Sequence, residues 1–102
     1  MPAYIVVNVE ISDPVRYEEY RRLVAPTLEA YGGRYLVRGG QVEVLEGEWT
    51  PQRFVVVEFP SLEQAKAWWR SPEYAGPKAI RQASAHTDMI VVEGIPPRTA
   101  EA

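Results

Sequence analysis

The segment RFVVVEFPSLEQAKAWW, residues 53–69, decides the fold because it joins a strand directly to a helix. Val and Phe dominate Arg53–Phe59, and this composition predicts a β-strand. Ser61 and Gln64 then match the capping box of a helix N-terminus. In that motif the Ser hydroxyl covers one free amide and the Gln side chain reaches back to another. The segment therefore predicts a strand followed at once by an amphipathic helix.

The same order of elements occurs earlier in the chain. Tyr4–Glu10 alternates as a strand, with Ile5, Val7 and Val9 on one face. Asp13 and Pro14 predict the start of a helix, because the carboxylate accepts from free amides and Pro has no amide to lose. Apolar side chains then recur at steps of three and four and define a buried stripe: Tyr17, Tyr20, Val24, Leu28 and Tyr31.

Glycine pairs punctuate the middle of the chain in YGGRYLVRGG, residues 31–40. Gly32 suits the left-handed cap that ends the first helix. Gly39-Gly40 predicts a hairpin turn that joins a strand at Arg34–Arg38 to a partner strand at Gln41–Glu46.

The complete order of elements predicts the fold class. Ser71-Pro72 restarts the second helix, and Met89–Glu93 forms the last strand. The order is typical of an α+β, ferredoxin-like split βαβ fold, with an antiparallel sheet and both helices on one face. A small doubly wound parallel sheet is the alternative, but it needs more crossover helices than the chain supplies. Residues 1–95 are predicted to form a single domain, and 96–102 a flexible C-terminal tail.

Composition excludes several classes of protein. The 102 residues carry a formal net charge of −3 with scattered charges, which argues against a nucleic-acid partner. There is no cysteine for a disulfide or a thiolate nucleophile. No apolar run is long enough to span a membrane, and the N-terminus does not resemble a signal peptide. A cytoplasmic location is predicted.

The sheet face opposite the helices is the feature that bears on function. Strand alternation turns toward the helices Ile5, Val7, Val9, Val55, Val57 and Phe59. It places on the opposite face Tyr4, Val6, Asn8, Phe54, Val56 and Glu58. This set is too apolar for a solvated face and too polar for a sealed core. We therefore predict a homodimer in which two copies stack these faces around a half-buried interior.

Charged residues are predicted to enter the same interior. Regular alternation puts Arg34, Leu36 and Arg38 on one side of their strand and Tyr35 and Val37 on the other. Arg34 or Arg38 is then expected to pair with Glu58, because a carboxylate accepts two parallel bonds from a guanidinium. Either these groups only neutralise one another, or one arginine orients a small organic acid while Glu58 or Asp88 transfers a proton.

Other candidate sites are weaker. His86 lies beside Asp88 in a predicted turn before the last strand, where it would be a lone base. The spacing of His86 and the carboxylates matches no metal motif, and no Gly-rich loop follows the dinucleotide pattern, so neither a metal nor another cofactor is predicted. Trp68, Trp69 and Tyr74 favour core and dimer contacts over a flavin platform.

Three stretches together resemble a known family: YGGRYLVRGG with VEVLEGEW, FVVVEFPSLEQAKAWWRSPEY, and DMIVVEG. The chain is similar over residues 3 to 95 to the family called domain of unknown function 1330, in the dimeric α+β barrel superfamily. The resemblance implies a ferredoxin-like protomer whose sheet pairs with a second copy. Superfamily members range from cofactor-independent monooxygenases to stress-responsive proteins, so the resemblance implies no single reaction.

The resemblance also adds candidate residues. The positions that match the family pattern include Tyr31, Gly33, Arg34, Arg38, Glu58, Ser71 to Tyr74, and Asp88. The predicted site accordingly has Glu58 and Asp88 as catalytic residues, and Arg34, Arg38, Asn8 and Tyr31 as substrate-binding residues. The predicted function is small-molecule binding by a dimeric barrel, with cofactor-independent catalysis on a small carbonyl or phenolic acid as its enzymatic form. A non-catalytic structural or stress-associated dimer is the alternative.

Overall fold

The computed structural model describes residues 1–96, and Pro96 is the only residue of the predicted tail within that range. The elements in this range are β1 (Ala3–Ile11), α1 (Pro14–Ala30), β2 (Arg34–Arg38), β3 (Arg53–Phe59), α2 (Leu62–Trp69), α3 (Pro72–Ser84) and β4 (Ala85–Glu93). The strands form one sheet in the order β2-β3-β1-β4, and each neighbouring pair is antiparallel. The ferredoxin-like α+β prediction is confirmed, and the parallel alternative is excluded.

The helix caps explain why the elements begin where the sequence predicts. The Asp13 carboxylate accepts from the Arg16 amide at 3.2 Å, and the Ser71 hydroxyl accepts from the Tyr74 amide at 3.1 Å. The Ser61 hydroxyl accepts from the Gln64 amide at 3.1 Å. The Gln64 side chain, however, donates to the Tyr31 carbonyl rather than completing the capping box, so it ties the start of α2 to the end of α1.

The core lies between the helices and one face of the sheet, which we call the covered face. Its strand residues are those predicted, and all are buried: Ile5, Val7, Val9, Val55, Val57 and Phe59. Trp68 from α2 and Tyr74 from α3 stack against each other with ring centroids 3.9 Å apart. The Trp68 indole donates to the Thr27 hydroxyl at 3.0 Å and so joins α2 to α1.

The predicted hairpin partner of β2 is wrong. Residues 41–46 form no strand, and they are exposed. Gly39 adopts a left-handed φ of +69°. Its amide donates to the Phe54 carbonyl, so Gly39 extends the pairing of β2 with β3 and does not start a hairpin. A strand beyond β2 would lie outside the layer of helices and have no core for Val42 and Val44 to pack against.

A β-bulge in β2 corrects the predicted direction of Arg38. Tyr35 lies opposite Val57, but Val37 lies opposite Val56 and Arg38 opposite Val55, so β2 contains one extra residue. An extra residue reverses the alternation of every side chain after it. Val37 therefore lies on the sheet face away from the helices, and Arg38 lies on the covered face.

The last strand is longer than predicted. Because β4 begins at Ala85, His86 and Asp88 lie within the strand, and the prediction of a turn there is wrong. His86 is opposite Glu10, and Asp88 is opposite Asn8.

Candidate functional site

The sheet face away from the helices, which we call the open face, is apolar at its centre. Val6 of β1 lies between Val56 of β3 and Ile90 of β4, and Ile90 is 62% exposed. Phe54 adds to the apolar area and packs edge-on against the loop residue Trp49. Polar side chains occupy the two ends of this face.

Arg34 and Glu58 form one of the two alternative ion pairs predicted for Glu58, at one end of the open face. Arg34 Nε donates to Glu58 Oε1 at 2.7 Å. The Arg34 side chain is 72% exposed and that of Glu58 23% exposed, so in the isolated protomer solvent reaches mainly the Arg34 side of the pair.

Asn8 and Asp88 lie side by side at the other end of the open face. The Asn8 side-chain oxygen accepts from the Gln52 amide at 2.8 Å, which fixes the loop that leads into β3. Glu58 is opposite Tyr4, four residues along β1 from Asn8, and this offset corresponds to about 13 Å. Within one protomer the predicted catalytic pair, Glu58 and Asp88, therefore does not converge.

Tyr31 and Arg38 lie away from the open face. Tyr31 caps the end of α1, and its hydroxyl donates to Glu73 at 2.9 Å, a bond that raises the pKa of Tyr31. Arg38 lies on the covered face with its guanidinium 4.6 Å from the centre of the Tyr35 ring. The predicted substrate-binding set is therefore divided among the two ends of the open face, the end of α1 and the covered face.

A cavity of about 460 Å³ opens between α2, α3 and β4, and we call it the outer cavity. Apolar side chains form much of its wall, among them Ile5, Trp69, Met89 and Val91. Its polar lining residues are Lys66, Arg70, Arg81, Gln82, His86 and Thr87. Within the described chain this lining contains neither Asp nor Glu, so the cavity combines an apolar wall with positive charge.

Arg81 is the most unusual residue of the outer cavity because it is a buried charge. Its exposed fraction is only 5%, and its Nε donates to the Tyr74 hydroxyl at 3.1 Å. Among residues 1–96 no carboxylate lies within 4.0 Å of its guanidinium. A guanidinium stays protonated in proteins, so Arg81 is a cation whose burial is not offset by a neighbouring anion.

A chain of hydrogen bonds connects Arg81 to α1. The hydroxyls of Tyr74 and Tyr20 lie 2.9 Å apart. Burial, with the neighbouring Tyr74 adding to it, raises the pKa of Tyr20 far above its ordinary value. Tyr20 therefore stays a neutral hydroxyl, and it holds the Tyr74 ring against Arg81.

Sequence reasoning did not select Arg81, although a signal for it exists. Arg81 follows Tyr74 by seven residues, and two helical turns return a side chain to the same face. Tyr74 was correctly assigned to packing, so the same periodicity places Arg81 on the buried face of α3.

Comparison with known proteins identifies the family. A family model described as Domain of unknown function (DUF1330) matches residues 2–95. The chain belongs to the DUF1330 family. A search of proteins with curated function finds no match to this DUF1330 chain.

Solved structures similar to the DUF1330 chain support the fold. A protein of unknown function from Rhodopseudomonas palustris shares 21% identity, with a TM-score of 0.76 over 94% of this chain and 84% of that one. A dimeric ferredoxin-like protein of unknown function from Jannaschia sp. CCS1 shares 13% identity, with a TM-score of 0.68 over 92% of this chain and 100% of that one. SnoaB, a cofactor-independent oxygenase from Streptomyces nogalater, shares 10% identity, with a TM-score of 0.64 over 99% and 98%.

These identities are low, so the likenesses concern the fold alone. Across residues 1–96, no helix of the DUF1330 chain has the length and apolarity needed to cross a bilayer.

Proposed function

We propose that this DUF1330 protein binds a small organic acid in the outer cavity, with Arg81 as the partner of the carboxylate. The observation that carries the proposal is the buried Arg81 guanidinium without a carboxylate neighbour in the described chain. An anionic ligand would offset the cost of burying this charge, since a planar carboxylate accepts two parallel bonds from a guanidinium.

The size and lining of the cavity support a ligand with an apolar body. About 460 Å³ lies within the 300 to 1,000 Å³ or so that small-molecule sites occupy. Trp69 and Met89 offer flat or adaptable apolar surface, while Lys66 and Arg70 add positive charge. A phenolic or aromatic carboxylate fits this combination of apolar surface and positive charge.

The proposed assembly is a homodimer through the open face. Its support is the apolar centre formed by Val6, Val56 and Ile90, together with a structural neighbour that is itself dimeric. In such a dimer the Arg34–Glu58 pair would move from solvent into an interface. That paired arrangement also favours the alternative function, a non-catalytic dimer, because an ion pair already satisfied has no charge left for a ligand.

Isothermal titration calorimetry with benzoate and benzamide tests the binding site. The two probes share an aromatic ring and differ in the negative charge. We expect saturable binding of benzoate and at least about tenfold weaker binding of benzamide, because a hydrogen bond to a charged group contributes about 1.5–3 kcal/mol. Arg81→Met should reduce benzoate affinity by about 10- to 100-fold.

The matched control is Arg22→Met, which removes an exposed arginine of α1 that does not line the cavity. It should leave benzoate affinity unchanged. Equal affinity for the two probes, or benzoate binding that survives Arg81→Met, would contradict the proposal. If the binding results agree with the proposal, native mass spectrometry of freshly purified protein identifies the natural acid. We expect a co-purifying mass in the wild type that is absent from Arg81→Met.

A further inference from the structure

A second, smaller cavity lies deeper between the helices and the covered face, and we call it the inner cavity. Its volume is about 40 Å³. A cavity needs about 10–15 Å³ on this measure to hold one water, so it takes about three waters or one small oxyanion. Four arginines line it: Arg21, Arg38, Arg53 and Arg81. Its lining within the described chain includes no Asp or Glu.

Only one of these four arginines has a carboxylate partner among residues 1–96. Arg21 pairs with Glu18 at 3.1 Å. Arg38 instead stacks on the Tyr35 ring, a contact that leaves its N–H donors available. Positive charges gathered around so small a space repel one another unless an anion lies between them.

Arg53 provides the most direct sign of a missing acceptor. Its Nε is buried and has no hydrogen-bond partner in the described chain. A buried donor without an acceptor costs about 1–3 kcal/mol, so such groups are rarely left unpaired.

The backbone around Arg53 makes room for its guanidinium. A Cβ atom at Gly39 would collide with Arg53 Nη1, and Gly39 has the left-handed φ of +69° that favours glycine. Arg38 immediately precedes Gly39, and the bulge in β2 places its side chain on the same covered face as Arg53. Two local departures from regular strand geometry thus bring two guanidinium groups to one cavity.

We propose that the inner cavity is a second anion site, which holds one small oxyanion between Arg38 and Arg53 and, among residues 1–96, shares only the wall residues Ile5, Arg81 and Met89 with the outer cavity. The Arg53 Nε–H and the N–H groups of Arg38 are the donors, and the Tyr35 ring fixes the Arg38 plane. Burial raises the pKa of Tyr35, partly offset by the charge of Arg38, so this phenol stays neutral and adds no competing negative charge. The cavity volume excludes larger ligands such as nucleotides.

Titration calorimetry with inorganic phosphate and with acetate, at constant ionic strength in chloride buffer, tests this site. We expect saturable binding of at least one probe, and the probe whose binding Arg53→Met weakens more indicates whether the natural anion is inorganic or a carboxylate. Arg53→Met and Arg38→Met should each weaken that binding at least about tenfold, and Arg53→Lys should weaken it less because it keeps the charge. Gly39→Ala should also weaken it by displacing Arg53.

Two controls separate this site from the outer cavity and from general electrostatics. Arg22→Met should bind the probe as the wild type does, whereas Arg53→Met should keep its benzoate affinity within about twofold. Circular dichroism of each variant establishes that it is folded. Absence of saturable binding for both probes, or equal binding by wild type and folded Arg53→Met, would overturn the inner site and leave the outer one unaffected.

Discussion

The two sides of the sheet differ in whether their charged side chains have partners of opposite charge. On the open face, carboxylates lie near basic side chains: Glu58 contacts Arg34 at 2.7 Å, and Asp88 lies 4.0 Å from the His86 imidazole. Between the covered face and the helices, Arg53 of β3 and Arg81 of α3 lie among apolar and tyrosine side chains with no carboxylate partner in the described chain. Paired charges around an apolar centre suit contact with another protein surface, and unpaired buried cations suit a ligand that brings its own negative charge.

The largest effect on stability is expected from a substitution in β3, whose neighbouring residues Val56 and Val57 lie on opposite faces of the sheet. Val57 is 3% exposed on the covered face, while its neighbour Val56 is half-buried on the open face. Val57→Asp places an unpaired carboxylate in the core and should lower the free energy of unfolding by about 4 kcal/mol or more. Urea denaturation measures the loss.

Val56→Asp is the matched substitution one residue away. It should leave the protomer folded but prevent the proposed dimer, because two like charges would meet at the centre of the open face. Sedimentation equilibrium measures the outcome. A Val56→Asp protein that still sediments as a dimer would show that the open face is not the interface, and a wild-type monomer at micromolar concentration would show the same.

The positions of Val56 and Val57 could be predicted from sequence, but the position of Arg38 could not. In β1 and β3 the side chains alternate without interruption, so the apolar pattern assigns each residue to the correct face. In β2 the bulge adds one residue, and the composition of Arg34–Arg38 contains no sign of it. Capped helices were predictable for a related reason, since Asp13, Ser61 and Ser71 act through contacts with residues three positions away.

The candidate site was less predictable because it depends on contacts between distant segments. Arg53 was assigned only as the first residue of a strand. Two observations make Arg53 a candidate site residue: its guanidinium lies close to Gly39, and its Nε has no acceptor in the described chain. Both depend on tertiary packing. An ion pair of Glu58 with Arg34 or Arg38 was predicted, because strand alternation placed these charges on one face, and Arg34 is the residue that lies opposite Glu58 in the structure.

The buried hydroxyls of Tyr20 and Tyr74, which lie 2.9 Å apart, should make the free energy of unfolding depend on alkaline pH. This effect is expected to be of intermediate size. The folded state keeps Tyr20 protonated above its ordinary pKa of 10.0, whereas the unfolded chain releases that proton. Tyr20 therefore contributes its full stability below about pH 10, and the free energy of unfolding should fall above it by about 1.4 kcal/mol per pH unit. Tyr20→Phe should remove the part of this slope that Tyr20 causes, at a cost near neutral pH of about 1 kcal/mol for the lost hydrogen bond.

Urea denaturation from pH 9 to 11.5 provides the measurement for both proteins. Tyr35→Phe is an informative comparison, because burial also raises the pKa of Tyr35 while the neighbouring Arg38 opposes the shift. Its effect on the slope should be smaller than that of Tyr20→Phe. Parallel stability curves for wild type and Tyr20→Phe throughout this range would contradict the role assigned to the buried hydroxyl.

The smallest effect is expected at the Arg34–Glu58 pair in a protomer without its partner. Because the Arg34 side chain is 72% exposed, Glu58→Gln in a Val56→Asp background should cost only about 0–1 kcal/mol. In the proposed wild-type dimer the same change should cost about 3 kcal/mol or more, since the second copy would shield Arg34 from water and leave it unpaired. Adding Arg34→Met to Glu58→Gln removes both charges and should recover most of that loss. Equal costs in the two backgrounds would mean that the pair stays in solvent, and the proposed interface would then have to lie elsewhere on the open face.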